Sequence, residues 1–140
     1  MISGVLNCTY MKKNLAYIIT SFLPAILLFA WNETPLMQGL YLQFPNIDVP
    51  MHIVGGACIV FLAARIFSLL EGAGFKKLHP LTRFALLVGS AACIGVAWEW
   101  YEFIHDFVYH THFQLSQFDT MKDLFDDLFG ASLLALFYTL

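Results

Sequence analysis

Between Asn14 and Trp31 the chain carries no charge. A helix over that stretch, rising ~1.5 Å per residue, nearly crosses a ~30 Å hydrocarbon core. Further spans are expected at 50–70, 84–108 and 123–140. The purely apolar part of the last, 128–140, is short, so for it to cross, Asp123 to Asp127 must lie near or below the interface. Only 12% of the 140 residues are charged. A soluble domain would carry about 25%. The charge that remains is concentrated near the ends of the apolar runs, which is the membrane pattern and not that of a soluble core. The expected fold is therefore all-α: a single integral membrane domain over 1–140, built as a four-transmembrane-helix bundle with spans at about 14–31, 50–70, 84–108 and 123–140.

Local signals refine this layout. Lys12 and Lys13 precede the first run as they would in a signal peptide. The run has no small-x-small cleavage site and ends in Trp31-Asn32-Glu33, so an uncleaved first span is expected. Thr34-Pro35 reads as an N-cap followed by proline at the first helical position. Leu36, Leu40, Tyr41 and Phe44 then form a short interfacial helix at about 35–44. Pro50 suits the start of the second span. A loop with Gly72, Gly74 and Pro80 leads into the third. Trp98, Trp100, Tyr101 and Tyr109 form an aromatic group of the kind found at a membrane interface. Cys8, Cys58 and Cys93 show no metal or disulfide spacing and read as small apolar filler.

The basic residues set an orientation. Lys12 and Lys13 precede span one, and Arg65, Lys76, Lys77 and Arg83 flank the loop between spans two and three. The positive-inside rule then places both termini in the cytoplasm, with four helices crossing the membrane. Only Lys122 falls outside. The outer side receives Glu33, Asp48, Glu99, Glu102, Asp106, Asp119, Asp123, Asp126 and Asp127, with His52, His105, His110 and His112. Glu71 and His79 are inside. The net charge of −3 argues against a nucleic-acid partner.

Ionisable groups in or beside hydrocarbon are costly, so such a one-sided set is a candidate site. Asp48 and His52 stand four apart on one helix face. Glu99, Glu102 and Asp106 share a second face, with His105 at its border. Asp119, Asp123, Asp126 and Asp127 occupy a third. Residues three and four apart are helix-surface neighbours, so the three faces are expected to meet. Glycines one turn inward (Gly55, Gly56, Gly95 and Gly130) would let those faces pack closely. Asp48, Asp119 and Asp123 also have a simpler reading, as helix N-terminal acids that offset the dipole. Glu99, Glu102 and Asp106 do not, because they fall in a C-terminal half.

So many carboxylates in a poorly hydrated place need protons or a cation. Mixed Asp, Glu and His ligands suit zinc, manganese or iron better than magnesium or calcium. The expected metal ligands are His52, Glu99, Glu102 and Asp123. Asp48 would orient His52, and His105, Asp106, Asp119, Asp126 and Asp127 would support the ligands or add to them. Glu102-x-x-His105 has the spacing of di-metal bundles, but those need the motif twice.

Three segments carry a resemblance. They are Asp48-x-x-x-His52-x-x-x-Gly56, Trp98-Glu99-Trp100-x-Glu102, and Asp119-Thr120-x-x-Asp123 leading to Gly130-Ala131. In this order they resemble the YjdF-like family of small bacterial inner-membrane proteins and, more distantly, VanZ-like proteins. Val49 stands where the VanZ-like pattern has lysine, and Asp127 where it favours asparagine. The resemblance implies a polytopic inner-membrane protein with a polar cluster inside the membrane, and supplies no activity.

Three functions fit these residues. The first is a divalent-metal protein, in its catalytic form a hydrolase or transferase acting on a lipid-linked substrate. The second is a cation or proton transporter, although the inner helix halves offer few polar steps. The third is a non-catalytic assembly or partner protein. Membrane lipid is the expected partner, and four short helices leave room for a homo-oligomer.

Overall fold

Helix starts coincide with the caps that the sequence supplies. Thr34 accepts a hydrogen bond from the Met37 amide at 3.3 Å, and Pro35 opens helix α2 (Pro35–Gln43), so the short helix expected at about 35–44 forms. His79 Nδ1 accepts from the Leu81 amide at 3.2 Å and Pro80 opens α5 (Pro80–Tyr109). Ser116 Oγ accepts from the Asp119 amide at 3.1 Å and starts α6 (Gln117–Thr139). The remaining helices are α1 (Ile2–Asn32), α3 (Asp48–Glu71) and α4 (Ala73–Lys77). This computed structural model describes the backbone at residues 2–71 and 73–140, and the side chains at 15–44, 46–71 and 74–140. The side chains of Cys8, Lys12 and Lys13, and Gly72 altogether, lie outside the described residues.

The helices run past the expected apolar limits at both ends, because polar residues continue a helix once it is nucleated. The loop between spans two and three also differs from expectation. It contains the short α4, where Phe75 is buried against Phe67 with ring centroids 5.4 Å apart.

Among the described residues, three helices are long and apolar enough to cross a membrane: Leu15–Asn32, Asp48–Glu71 and Pro80–Tyr109. The fourth expected span, α6, has the length but not the apolar composition, since Asp119, Lys122, Asp123, Asp126 and Asp127 fill its first half. Their packing shows why the chain tolerates this. Asp123, Asp126 and Asp127 are buried against protein and are not left facing outward.

Contacts fix the topology. Lys122 meets Asp48 and Asp127 meets His52, so α3 and α6 run parallel. Arg83 meets Tyr138 and Thr139 while Gly95 lies against Asp127, so α5 is antiparallel to α6. Arg65 meets Ser21 and Gly55 lies against Leu28, so α1 is antiparallel to α3. The helix α3 is central and packs most extensively on α6. In the half away from the acids the core is apolar and small: Val60, Ala63, Ala64, Leu87, Ala91, Ala131 and Ala135, closed by Phe75. Only 6% of the α1 span is buried, so Leu15, Ile19, Ile26 and Leu27 face outward, as lipid contact requires.

Two glycines set the α3–α6 distance. A Cβ on Gly56 would strike the backbone of Asp127, and a Cβ on Gly130 would strike the backbone of Ile53. The contact is reciprocal and backbone to backbone, so no side chain can move aside. Gly55 has only ordinary contacts, the nearest 3.6 Å away, and Gly89 has none. Gly56→Ala and Gly130→Ala are each expected to lower stability by about 1–3 kcal/mol or more. Gly55→Ala and Gly89→Ala are expected to be neutral or slightly stabilising. Thermal unfolding in detergent reads this directly. Equal behaviour of Gly55→Ala and Gly56→Ala would contradict the crossing.

Candidate functional site

The Gly56–Gly130 crossing brings the start of α3 against the first half of α6. His52 lies one turn before Gly56 and is buried between them. Its Nδ1 is 3.3 Å from Asp127 Oδ1. Its Nε2 is 3.4 Å from Asp48 Oδ1 and 3.9 Å from Asp123 Oδ1. Lys122 enters from the rim. Its Nζ is 2.5 Å from Asp123 Oδ1, 3.4 Å from Asp48 Oδ2 and 3.7 Å from Asp126 Oδ2. Four carboxylates thus surround one lysine and one histidine. If all ionise, even a doubly protonated His52 leaves the group two charges negative.

Asp48, His52 and Asp123 offer ligand atoms that all lie within 4.8 Å of one another. Two ligands bound ~2.1 Å from a tetrahedral ion lie ~3.4 Å apart, so this spacing is close to that of a metal site. The expected ligand His52 is at its centre and Asp123 is in it. Asp48, expected only to orient His52, supplies an atom to the group itself. Asp127 has the orienting position instead: its carboxylate on Nδ1 fixes the tautomer that leaves Nε2 as the free lone pair.

The α5 acids approach from the other side. Gly95 lets α5 come close, since a Cβ there would lie 2.7 Å from Asp127 Oδ2. One turn on, Glu99 is buried at 4% exposure. Its Oε2 accepts from Gln114 Nε2 at 3.4 Å, and its Oε1 has no hydrogen-bond partner among the described residues. Glu102 is half-buried and accepts from Trp98 Nε1 at 2.8 Å. Neither glutamate belongs to the three-residue group.

His105 and Asp106 are placed elsewhere. Asp106 Oδ1 accepts from Thr111 Oγ1 at 2.6 Å and from the Phe113 amide at 2.8 Å, and Oδ2 accepts from the Gln114 amide at 2.9 Å. His105 Nδ1 is 2.8 Å from Thr111 Oγ1, and its ring stacks between Tyr109 and Phe113 at 4.7 and 4.6 Å. His110, with φ 56, ends α5 in the left-handed region. These residues fold the 110–116 connection back over the bundle end and deliver Gln114 to Glu99. The Asp119 amide is capped by Ser116 Oγ, and Asp119 also lines the cavity described next.

A cavity of about 950 Å³ opens from the cluster. Its polar end holds Asp48, His52, Glu102, Lys122 and Asp123. It continues between α1 and α5, floored by Gly55, Gly56 and Ile59 of α3, to Ala25 and Ala91. Helices α1 and α5 each lean on α3 and barely meet each other, apart from the edge-to-face pair Phe29–Trp98 at 5.8 Å. Tyr41 of α2 caps the polar end and donates to Asn32 Oδ1 at 2.5 Å. Burial, with the Asp48 charge nearby, pushes its phenol above the usual range. Sequence reading saw Tyr41 only as part of an apolar face, and missed Gln114 and Asn32. Ser116-x-x-Asp119 was the signal that α6 starts early enough to carry all four aspartates inward.

The model of the family described as "Predicted membrane protein (DUF2238)" matches residues 9–140. The chain belongs to this family. No curated protein and no solved structure matches it. Membership agrees with the long apolar helices and leaves the cluster without an assigned role.

The Asp106 hydrogen bonds generate a specific expectation. Asp106→Ala should speed amide exchange at Phe113 and Gln114 by about tenfold or more, from the ~1.5–3 kcal/mol of a bond to a charged acceptor. Unchanged exchange at 111–115 would remove Asp106 from the role of organising that connection.

Proposed function

We propose that Asp48, His52 and Asp123 bind a divalent cation at the mouth of the cleft, and that the cleft receives a lipid-linked substrate. The carrying observation is the meeting of those three side chains, within 4.8 Å, at one end of an otherwise apolar cavity of about 950 Å³. Ligand sites run to ~1,000 Å³ and pair apolar walls with a few convergent polar groups. Here the polar groups lie at one end only, which fits an amphipathic molecule with its head at the cluster and its chain between α1 and α5.

The lysine supports the cation reading. An ammonium within 4 Å of three carboxylates marks a position of strongly negative potential. Lys122 is about one-third exposed and reaches in from the rim, so it can withdraw when a divalent ion enters. The buried, unpartnered Glu99 Oε1 adds a further acceptor on the same side. A His and two Asp suit zinc, manganese or iron better than magnesium or calcium. Held by Asp48, His52 and Asp123, a divalent cation would supply Lewis acidity toward water and a phosphoryl or acyl oxygen, and Glu102 would offer a carboxylate to the same cleft as proton acceptor. The reaction class is therefore hydrolysis or group transfer on the lipid head.

The setting belongs to the same proposal. Helix α6 is the fourth span, its acids shielded by α3 and α5. Arg65, Lys76 and Arg83 gather at the end of the bundle opposite the cluster, which supports cytoplasmic termini and an outward-facing site in a bacterial inner membrane. The YjdF-like and VanZ-like resemblance enters here too, because Asp48, His52, Gly56, Asp123 and Gly130 are the residues that meet. Transport has less support, since the core from Val60 to Ala135 offers an ion no polar step.

Elemental analysis of protein purified without added metal is expected to find a divalent ion near one per chain, lost in His52→Ala and Asp123→Asn. Lys122→Met should bind it more tightly, because it removes a competing cation. No metal in either the native chain or Lys122→Met, with no stabilisation on metal addition, would sink the proposal.

A further inference from the structure

The opposite end of the bundle holds a second cavity, of about 350 Å³. Five helices build it. Tyr17 comes from α1, Arg65 and Ser68 from α3, Lys76 from α4, Arg83 from α5 and Tyr138 from α6. Three of these are cations and no acid lines the cavity. Glu71, the acid nearest in sequence, is exposed and outside the lining. Among the described residues, none of the three cations forms an ion pair.

Neutral groups hold the two guanidiniums in place. Arg65 Nε donates to Ser21 Oγ at 2.8 Å, and its Nη2 donates to Thr20 Oγ1 at 3.0 Å. The guanidinium sits 3.9 Å over the Tyr17 ring. Arg83 donates through Nη1 to the Tyr138 carbonyl at 3.3 Å and through Nη2 to the Thr139 carbonyl at 3.1 Å. Its Nε is buried with no hydrogen-bond partner among the described residues. Lys76 is held at the rim because its neighbour Phe75 is buried in the core. The fold thus fixes three positive charges around one concavity and supplies no negative charge to balance them. Like charges so placed repel, and an anion between them relieves that repulsion.

We infer that this cavity binds the phosphate of an anionic phospholipid headgroup. The depth favours a lipid over a soluble anion. Arg65 stands about six residues before the end of α3, ~9 Å by helix rise, which places it near the boundary of the headgroup layer. Leu70 and Leu81, on the same end of the bundle, are 72% and 68% exposed and give an acyl chain an apolar path beside the pocket. Basic pockets between membrane helices are suited to such headgroups. The site shares no residue with the acidic cluster and does not depend on metal binding there.

The test is native mass spectrometry of delipidated protein in detergent, titrated with phosphatidylglycerol, phosphatidylcholine or inorganic phosphate. Phosphatidylglycerol is expected to be retained in preference to phosphatidylcholine. Lys76→Gln should weaken its retention about 5-fold, the equivalent of the ~1 kcal/mol that one cation contributes at an anionic surface. Lys77→Gln, an exposed neighbour of equal charge that does not line the cavity, should leave retention unchanged. Arg65→Gln should weaken it further, and if that variant fails to fold the lysine pair still decides. Equal retention of the two lipids, equal loss in Lys76→Gln and Lys77→Gln, or displacement of the lipid by inorganic phosphate would overturn the inference.

Discussion

The backbone contact between α3 and α6 is the constraint on which the rest depends. Gly56 faces the backbone of Asp127, and Gly130 faces the backbone of Ile53. At this separation the helices are too close for any side chain between them at the crossing. Polar side chains one turn outward are therefore driven together above it, which is why His52 lies among Asp123 and Asp127. Small residues below it, Ala63, Ala64, Ala131 and Ala135, let the same closeness continue into the apolar half. The crossing makes the site and the dry core with one pair of glycines.

Parallel packing explains why the acids are tolerated at all. Helices α3 and α6 start at the same end, so two positive dipole ends lie side by side. Asp48 and Asp119 are in first turns and benefit directly. The carboxylates further in rely on Lys122 and His52. Glu99 and Glu102 lack this help, since α5 runs the other way and presents its negative end there. Each has one local donor instead, Gln114 for Glu99 and the Trp98 indole for Glu102. The fold places the acids of α5 beside the acids of α6, which Lys122 and His52 only partly balance, and the shared deficit of positive charge is where the proposed cation would sit.

Much of this was legible from residue spacing. Helical phase put Asp48 with His52 and the α6 aspartates on one face, and the glycines one turn inward marked the packed faces. The short helix after Thr34-Pro35 was readable from its cap. What spacing does not carry is the partner across the interface. Asp48 and Asp127 exchange roles around His52 because the rotation of α6 is set by Gly130, not by its own acid pattern. Asp106 shares a helix face with Glu99 and Glu102, yet it turns to the 110–116 backbone, because unpaired amides beyond a helix C-terminus compete for any nearby carboxylate. Gln114 has no periodic signature at all, being a loop residue carried to Glu99 by that turn. Helix α6 is the least apolar of the long helices. Its place beside α3 follows from side chains buried by neighbours, which hydropathy along one helix does not measure.

The two ends of the bundle solve opposite electrostatic problems with the same helices. At one end the two helix starts favour acids, and the excess is negative. At the other, the last carbonyls of α6 accept from Arg83, so a helix C-terminus holds a cation as its dipole prefers. Arg65 is held by hydroxyls and an aromatic face, with no acid beside it. Ion pairing between the ends is impossible across the apolar core that separates them. Each end therefore keeps its own imbalance of charge. The separation that makes the protein insert in a membrane also leaves it with two unneutralised, oppositely charged pockets.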